Sequence, residues 1–280
     1  MPAILKTDFS VINAENFVDS FVNGNSNIFL AVGKADDEWA DETLPPTPTD
    51  TIASEVDMRN NIIGIKRVLV TGIMIMVPRI EWKAGLTFNI ISDSAVSGKR
   101  ATDYFCITSN NDVYQCILAP GNVTAEGAEP TAHAAEVSTA DGYKWKYLYT
   151  VTAAMINNGM LLDNWMPVPF NKHGEYPGGT LTDSQYLQGD VNANKTLGAY
   201  RVLVTATLGN EGDTIPYSIT YRQVALLVDP TDNDGTRLEG DLYAKSEFNY
   251  LSGEMIYFEN RRPVAREESQ KETMALLIIF

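Results

Sequence analysis

Read for its apolar and polar positions, the chain is a run of short strands broken by turns, with few helical stretches. Residues 27–32 form a short apolar strand ending at Gly33. Residues 65–78 are β-branched and apolar, long enough for one bent strand or for two strands broken at Gly72. Further strands are predicted over 86–92, 103–108, 113–118, 144–151, 199–208, 218–229 and 254–259, and the last apolar run is 274–280. Clusters such as Pro120-Gly121-Asn122, Pro177-Gly178-Gly179 and residues 229–235 mark turns. Helical spacing is confined to three stretches. In 13–22, Phe17, Val18, Phe21 and Val22 recur at helical intervals before Gly24. In 49–61, Thr51 or Asp50 can cap, Glu55 lies near the first turn, and Ile52, Val56 and Arg59 mark successive turns. The third, 152–158, stops at Gly159. Strands do not alternate with long helices, which argues against a doubly wound parallel sheet. The expected architecture is one mainly β domain over 1–280, an antiparallel layered β-sandwich. Its short α-helices are carried in loops near 13–23 and 49–61, with surface loops near 122–141 and 171–197.

Two segments stand apart from this pattern. Residues 34–51 carry Asp36, Asp37, Glu38, Asp41 and Glu42, followed by Pro45-Pro46-Thr47-Pro48. Proline holds such backbone extended, which suits a solvated connector or an arm lying on a partner. At the other end, strand 254–259 is followed by an expected turn ending at Pro263. Arg261-Arg262 beside it can offer bidentate contacts to carboxylates. The closing MALLIIF run cannot be left in water. Its burial is worth on the order of 10 kcal/mol before ordering costs. It must enter a sheet, its own by preference or a partner's, and its unbroken apolarity suggests that both faces are covered.

Charge narrows the function classes. The 280 residues carry a formal net charge of −15, and no basic run is longer than Arg261-Arg262, which excludes a nucleic-acid backbone as partner. No window holds eighteen consecutive apolar residues, and the first ten residues lack the layout of a secretory signal, so neither a membrane helix nor export is expected. Cys106 and Cys116 flank a turn signal at 109–112. Two reduced, half-buried strand thiols are the favoured reading, and a cross-strand disulfide is the other.

Motifs for chemistry are missing. Phosphate-binding glycine loops and the GxSxG nucleophile elbow do not occur. His133 and His173 lack the close ligands that a zinc site needs. The Asp36, Asp37, Glu38 cluster lies in a proline-led loop, and Glu254 and Glu259 point to opposite faces of a strand, so neither makes a glycosidase pair. Asn122-Val123-Thr124 matches a glycosylation triplet only by accident, with no export signal. Tyr143, Trp145, Tyr147 and Tyr149 alternate along one strand face, which reads as core packing ahead of a sugar-stacking strip. The expectation is therefore no catalytic residue, no cofactor, no metal and no small-molecule substrate.

From Leu251 the sequence reads LSGEMIYFENRRPVAREESQKETMALLIIF. This run closely resembles the end of the gene-eight baseplate wedge subunits of T-even-like contractile-tailed phages, which end in a similar SGEMIY-x-ENR-x-P run before an apolar strand. The likeness continues upstream in order: Asn27-Ile28-Phe29 with Gly33 and Trp39, then Pro45-Pro46-Thr47-Pro48-Thr49-Asp50. It goes on through Val77-Pro78-Arg79 with Trp82, Val113-Tyr114 with Cys116, Asp141-Gly142-Tyr143 with Trp145 and Tyr147-Leu148, and Tyr200-Arg201-Val202. The chain looks shorter than the T-even member, chiefly around 122–141 and 171–197. The resemblance implies a β-sandwich with helix-bearing loops and a non-enzymatic homodimer that binds other baseplate wedge proteins. It also implies a place in the virion tail baseplate after assembly in the host cytoplasm. The candidate interface residues are Trp39, Pro45, Pro46, Pro48, Arg261, Arg262 and Pro263. The rival reading is a tail-associated carbohydrate-binding β-sandwich module that stacks sugar on Tyr143, Trp145, Tyr147 or Tyr149.

Overall fold

A computed structural model describes residues 7–35, 38–90, 103–121, 124–168, 197–209, 219–233, 242–266 and 271–280. In chain order the elements open with α1 (Thr7–Val22), β1 (Ile28–Gly33), α2 (Ile52–Asn61), β2 (Ile62–Arg67) and β3 (Ile73–Pro78). Next come β4 (Phe105–Ile107), β5 (Asp112–Leu118), β6 (Val137–Ser138), β7 (Lys144–Thr150), α3 (Ala153–Asn157), β8 (Trp165–Val168) and β9 (Arg201–Leu208). The last are β10 (Ile219–Val228), β11 (Thr231–Asp232), β12 (Leu242–Ala244), β13 (Phe248–Asn249), β14 (Glu254–Arg266) and β15 (Glu272–Ile279). The fold is mainly β, with antiparallel sheets in layers and a few short helices, as the hydrophobic pattern predicts.

By internal contacts the chain falls into two compact units, neither continuous in sequence. One takes Met1–Asp19, Met74–Leu203 and Leu277–Phe280, and the other Ser20–Ile73 and Val204–Leu276. The second unit is built on a five-stranded sheet in the order β12-β2-β1-β10-β14. Its strand β1 is buried at every position because paired strands flank it on both sides. Phe29, Ala31, Ile65, Ala225 and Leu227 pack there with Met58, Tyr243 and Phe248, and the Phe29 and Phe248 rings meet edge-on at 5.5 Å. The apolar stretch 65–78 does break at Gly72. Its backbone passes so close to Thr205 that a Cβ would lie 2.4 Å from the Thr205 carbonyl oxygen, so only glycine fits.

In the first unit, β4-β5-β7-β6 form a four-stranded sheet whose core joins Phe88, Cys106, Tyr114, Cys116, Tyr143 and Trp145. A separate apolar group there gathers Met76, Met160 and Leu203. A further sheet takes the order β15-β9-β3-β8, with Met76 opposite Pro167 in the β3–β8 pair.

Four expectations need correction. No turn ends at Pro263: β14 runs on to Arg266, and the register jumps from Gln223↔Asn260 to Tyr221↔Val264. The bulge leaves Pro263 unpaired on an edge strand, where its missing N–H costs no ladder bond. The terminal apolar run joins a sheet of its own chain, but as an edge strand covered on one face. Met274 and Leu276 are buried, whereas Ile279 is 64% exposed. Residues 86–90 form no strand; Phe88 instead enters the core, and its N–H donates to the Tyr143 hydroxyl. Helix α1 begins at Thr7, earlier than expected, with Val11, Ala14, Val18 and Phe21 as its buried stripe. Within the expected loop 122–141, residues 124–141 lie as a strap on the first unit's sheet. Ala125 donates its N–H to the Leu86 carbonyl, and His133 Nε2 lies 3.0 Å from Asp112 Oδ2. The expected loop at 171–197 falls almost entirely outside the described residues.

Tyr143 and Trp145 are fully buried and Tyr149 nearly so, which makes the aromatic alternation core and leaves no stacking strip. Cys106 and Cys116 are both free thiols. Cys106 pairs across the ladder with Tyr114 instead, which excludes the disulfide geometry. Burial disfavours both thiolates, pushing the Cys116 thiol to about 12 and the Cys106 thiol higher still. A thiol reagent at pH 8 is expected to label neither cysteine in the native chain and both after denaturation. Rapid native labelling would show that this core opens.

Candidate docking surface

The proline arm and β14 meet within the second unit. Arg222, a buried cation on β10, holds the start of the arm: its Nη1 donates to the Ala35 carbonyl at 2.7 Å and its Nε to the Glu42 carboxylate at 2.8 Å. Glu42 also accepts from the Trp39 N–H at 3.0 Å, and Lys34 Nζ stands 4.6 Å from the centre of the Trp39 ring. Asp41 accepts from both the N–H and the hydroxyl of Thr43, closing a local turn; those bonds, the hydroxyl first, hold its carboxyl below the ordinary value.

The arm then lies along the outer edge of β14. Trp39 Nε1 donates to the Arg261 carbonyl at 3.0 Å, Arg262 Nε donates to the Thr43 carbonyl at 3.0 Å, and Asn260 Nδ2 donates to the Pro46 carbonyl at 2.9 Å. A segment with Pro45, Pro46 and Pro48 has too few N–H groups to add as a strand, so it covers the edge through side-chain contacts. Trp39, Pro46, Arg261 and Arg262 are thus brought into direct contact. Pro45 and Pro48 share the same arm, and Pro263 is exposed in the adjacent bulge. Arg261 pairs with Glu259 on its own strand, and Glu259 in turn accepts from the Tyr257 hydroxyl at 2.5 Å. The arm lies on its own chain's sheet, so the solvated-connector reading does not hold.

Past the prolines the chain passes into α2 through a cluster of hydroxyls, where Thr51 caps the helix by accepting from the Ser54 N–H at 3.2 Å. Helix α2 lies against β14. Met58 enters the core and Arg59 is buried, whereas Ile52 is 83% and Val56 49% exposed. Ile52 and Val56 stand one turn apart on the outward face, where Ala53, Asp57 and Asn60 are exposed beside them. In the arm, Leu44 is 75% exposed. Apolar side chains on the wet face of a capped helix mark a surface built to be covered. The sequence signalled this only through the spacing of Ile52 and Val56. In a helix of ten residues, that spacing does not say which stripe faces in.

Among the described residues no group of three or more His, Cys, Asp or Glu side chains could hold a metal ion, and no helix is long and apolar enough to cross a membrane. Residues 105–280 match the family model described as bacteriophage T4 Gp8. The chain is also 24% identical to baseplate wedge protein gp8 of Enterobacteria phage T4, over 99% of this chain and 97% of that protein. The ordered elements of 27–150, the closing SGEMIYFENRRP strand and a family match over more than half of the chain agree, and the chain belongs to the bacteriophage T4 Gp8 family as a gp8-type baseplate wedge subunit.

Proposed function

We propose that this chain works as a non-catalytic scaffold of the tail baseplate. It forms a homodimer, docks onto other wedge proteins through the surface made by α2, the proline arm and β14, and holds the baseplate in its pre-contraction state. Assembly takes place in the host cytoplasm, and the finished subunit resides in the virion. The observation that carries this reading is the outward face of α2, where Ile52 and Val56 stand exposed beside an arm anchored by polar bonds. An interface that must later rearrange needs a small apolar centre with a polar rim, because a wide apolar surface would not release. The net charge of −15 calls for partners that present basic groups around that centre.

The test is complementation of a phage lacking this gene with the Ile52→Lys/Val56→Lys double variant. Both positions face solvent, so the purified variant is expected to unfold within about 0.5 kcal/mol of the parent. Two buried like charges at the interface are expected to cut tail assembly by roughly 100-fold or more, at several kcal/mol per unpaired charge. Normal tails from a stably folded variant would remove α2 from the docking surface. Sedimentation of the purified chain is expected to give twice the 30.9 kDa chain mass, and a single-chain mass would remove the dimer.

A further inference from the structure

We infer that a polar cavity in the first unit, beside the β4–β5 turn, is a binding site for a single neutral sugar ring. The cavity has a volume of about 280 Å³. That lies just under the roughly 300–1,000 Å³ of sites for drug-sized ligands, so it suits one ring. Trp82 provides a flat apolar wall, and its N–H donates to the Ile107 carbonyl, which fixes its backbone beside β4. Arg79 lies alongside, with Nη1 on the Leu162 carbonyl at 3.2 Å and Nη2 on Glu81 at 2.5 Å. Across the opening, the Glu129 carboxylate accepts from both the N–H and the hydroxyl of Ser109.

Two buried side-chain atoms of the cavity's lining residues, Arg79 Nε and Thr108 Oγ1, have no hydrogen-bond partner. Both carry a hydrogen, so the wall is short of acceptors, and leaving such donors unmatched costs about 1–3 kcal/mol each. Glu81 and Glu129 can take further donors. An occupant must therefore both give and accept hydrogen bonds, as a hydroxyl does. A carboxylate or phosphate ligand would face Glu81 and Glu129, a cation could not serve the Arg79 and Thr108 donors, and an apolar ligand would satisfy neither side. A ring bearing several hydroxyls meets both demands, and its C–H face fits the indole. This site is distinct from the buried aromatic alternation on β7, and it does not depend on the docking surface.

Saturation-transfer NMR on the full chain tests the assignment, with a panel of neutral hexoses and N-acetylhexosamines at about 10 mM. Glucuronate and arginine amide serve as the charged comparators. With so few contacts, an affinity on the order of millimolar is expected. Trp82→Ala is expected to weaken binding at least about tenfold. Thr108→Val, which keeps the shape and loses the hydroxyl, is expected to weaken it several-fold while the unfolding midpoint holds. The assignment is overturned by an absence of saturable transfer from every neutral sugar, or by transfer that survives both variants. Preference for arginine amide would also overturn it, and would reassign the cavity to a basic side chain of a protein partner.

Discussion

Arg59→Ala is expected to cost about 3–5 kcal/mol of stability, the scale seen when one member of a buried charged network is removed. The Arg59 side chain is 9% exposed at the end of α2, and its guanidinium serves four acceptors. Nη1 donates to the carbonyls of Tyr250 and Ser252 at 3.0 and 3.1 Å, Nη2 to that of Gly253 at 2.8 Å, and Nε to Glu55 at 2.8 Å. The three carbonyls belong to the turn that feeds β14. That turn has little freedom of its own, because Gly253 has φ +73° and a Cβ there would lie 2.6 Å from the Val228 carbonyl oxygen. Alanine would strand three carbonyls that now accept charge-assisted bonds, each worth about 1.5–3 kcal/mol. Arg59→Lys is expected to fall between the two, since an ammonium lacks the planar fork that reaches all three. Glu55→Gln is expected to cost under about 1 kcal/mol, because Glu55 is 41% exposed and its pairing is screened. Urea denaturation of the three variants checks the series. An Arg59→Ala midpoint within about 1 kcal/mol of the parent would show that the turn holds itself.

The same turn shows how much of the fold was legible in advance. The strands were, because period-two burial and β-branched runs speak locally, and β1, β5, β7 and β10 lie within a residue or two of their predicted limits. The SGEMIY run was legible as a resemblance, but not as mechanism. Its Gly253 serves a close approach to Val228, and the Ser252 hydroxyl accepts from the Thr231 N–H and donates to the Asn249 carbonyl. None of these partners is a neighbour in sequence that a spacing rule reaches. Pro263 misled for a related reason. Proline suggests a turn wherever its strand is assumed to be paired on both sides, and only the order β10-β14 shows that β14 is an edge. The short strands β8, β11, β12 and β13 were missed because two to four residues carry no readable period. At the docking surface, Trp39, Pro46, Arg261 and Arg262 were named separately from composition and resemblance. Their joining across more than 200 residues is a product of the fold, as is the outward turn of Ile52 and Val56.

Replacing Trp145 with alanine is expected to destabilise the chain by about 3–5 kcal/mol, the range for deleting a fully enclosed aromatic side chain. The indole has no solvent exposure. Phe88 meets it edge-on at 5.0 Å, Tyr143 lies over it at 5.6 Å and 25°, and Nε1 donates to the Thr139 hydroxyl at 3.3 Å. The loss therefore combines lost apolar burial with a cavity that the neighbours cannot readily fill. Asp141 holds those neighbours in place. It accepts from the Thr139 hydroxyl at 2.5 Å, from the Tyr143 N–H at 3.3 Å and from the Glu126 and Gly127 N–H groups at 3.2 Å. Burial alone would raise the Asp141 pKa, but these donors outweigh it and hold the carboxyl below its ordinary value. The turn is thus rigid on both sides of the ring, and the cavity has little room to collapse. Trp145→Phe keeps most of the apolar volume and is expected to recover more than half of the loss, at the cost of the Thr139 bond. Denaturation midpoints of the two variants decide between the two roles an aromatic alternation can play. A ring that served ligands would leave the midpoint near that of the parent when removed, and a ring that serves packing takes the fold's stability with it.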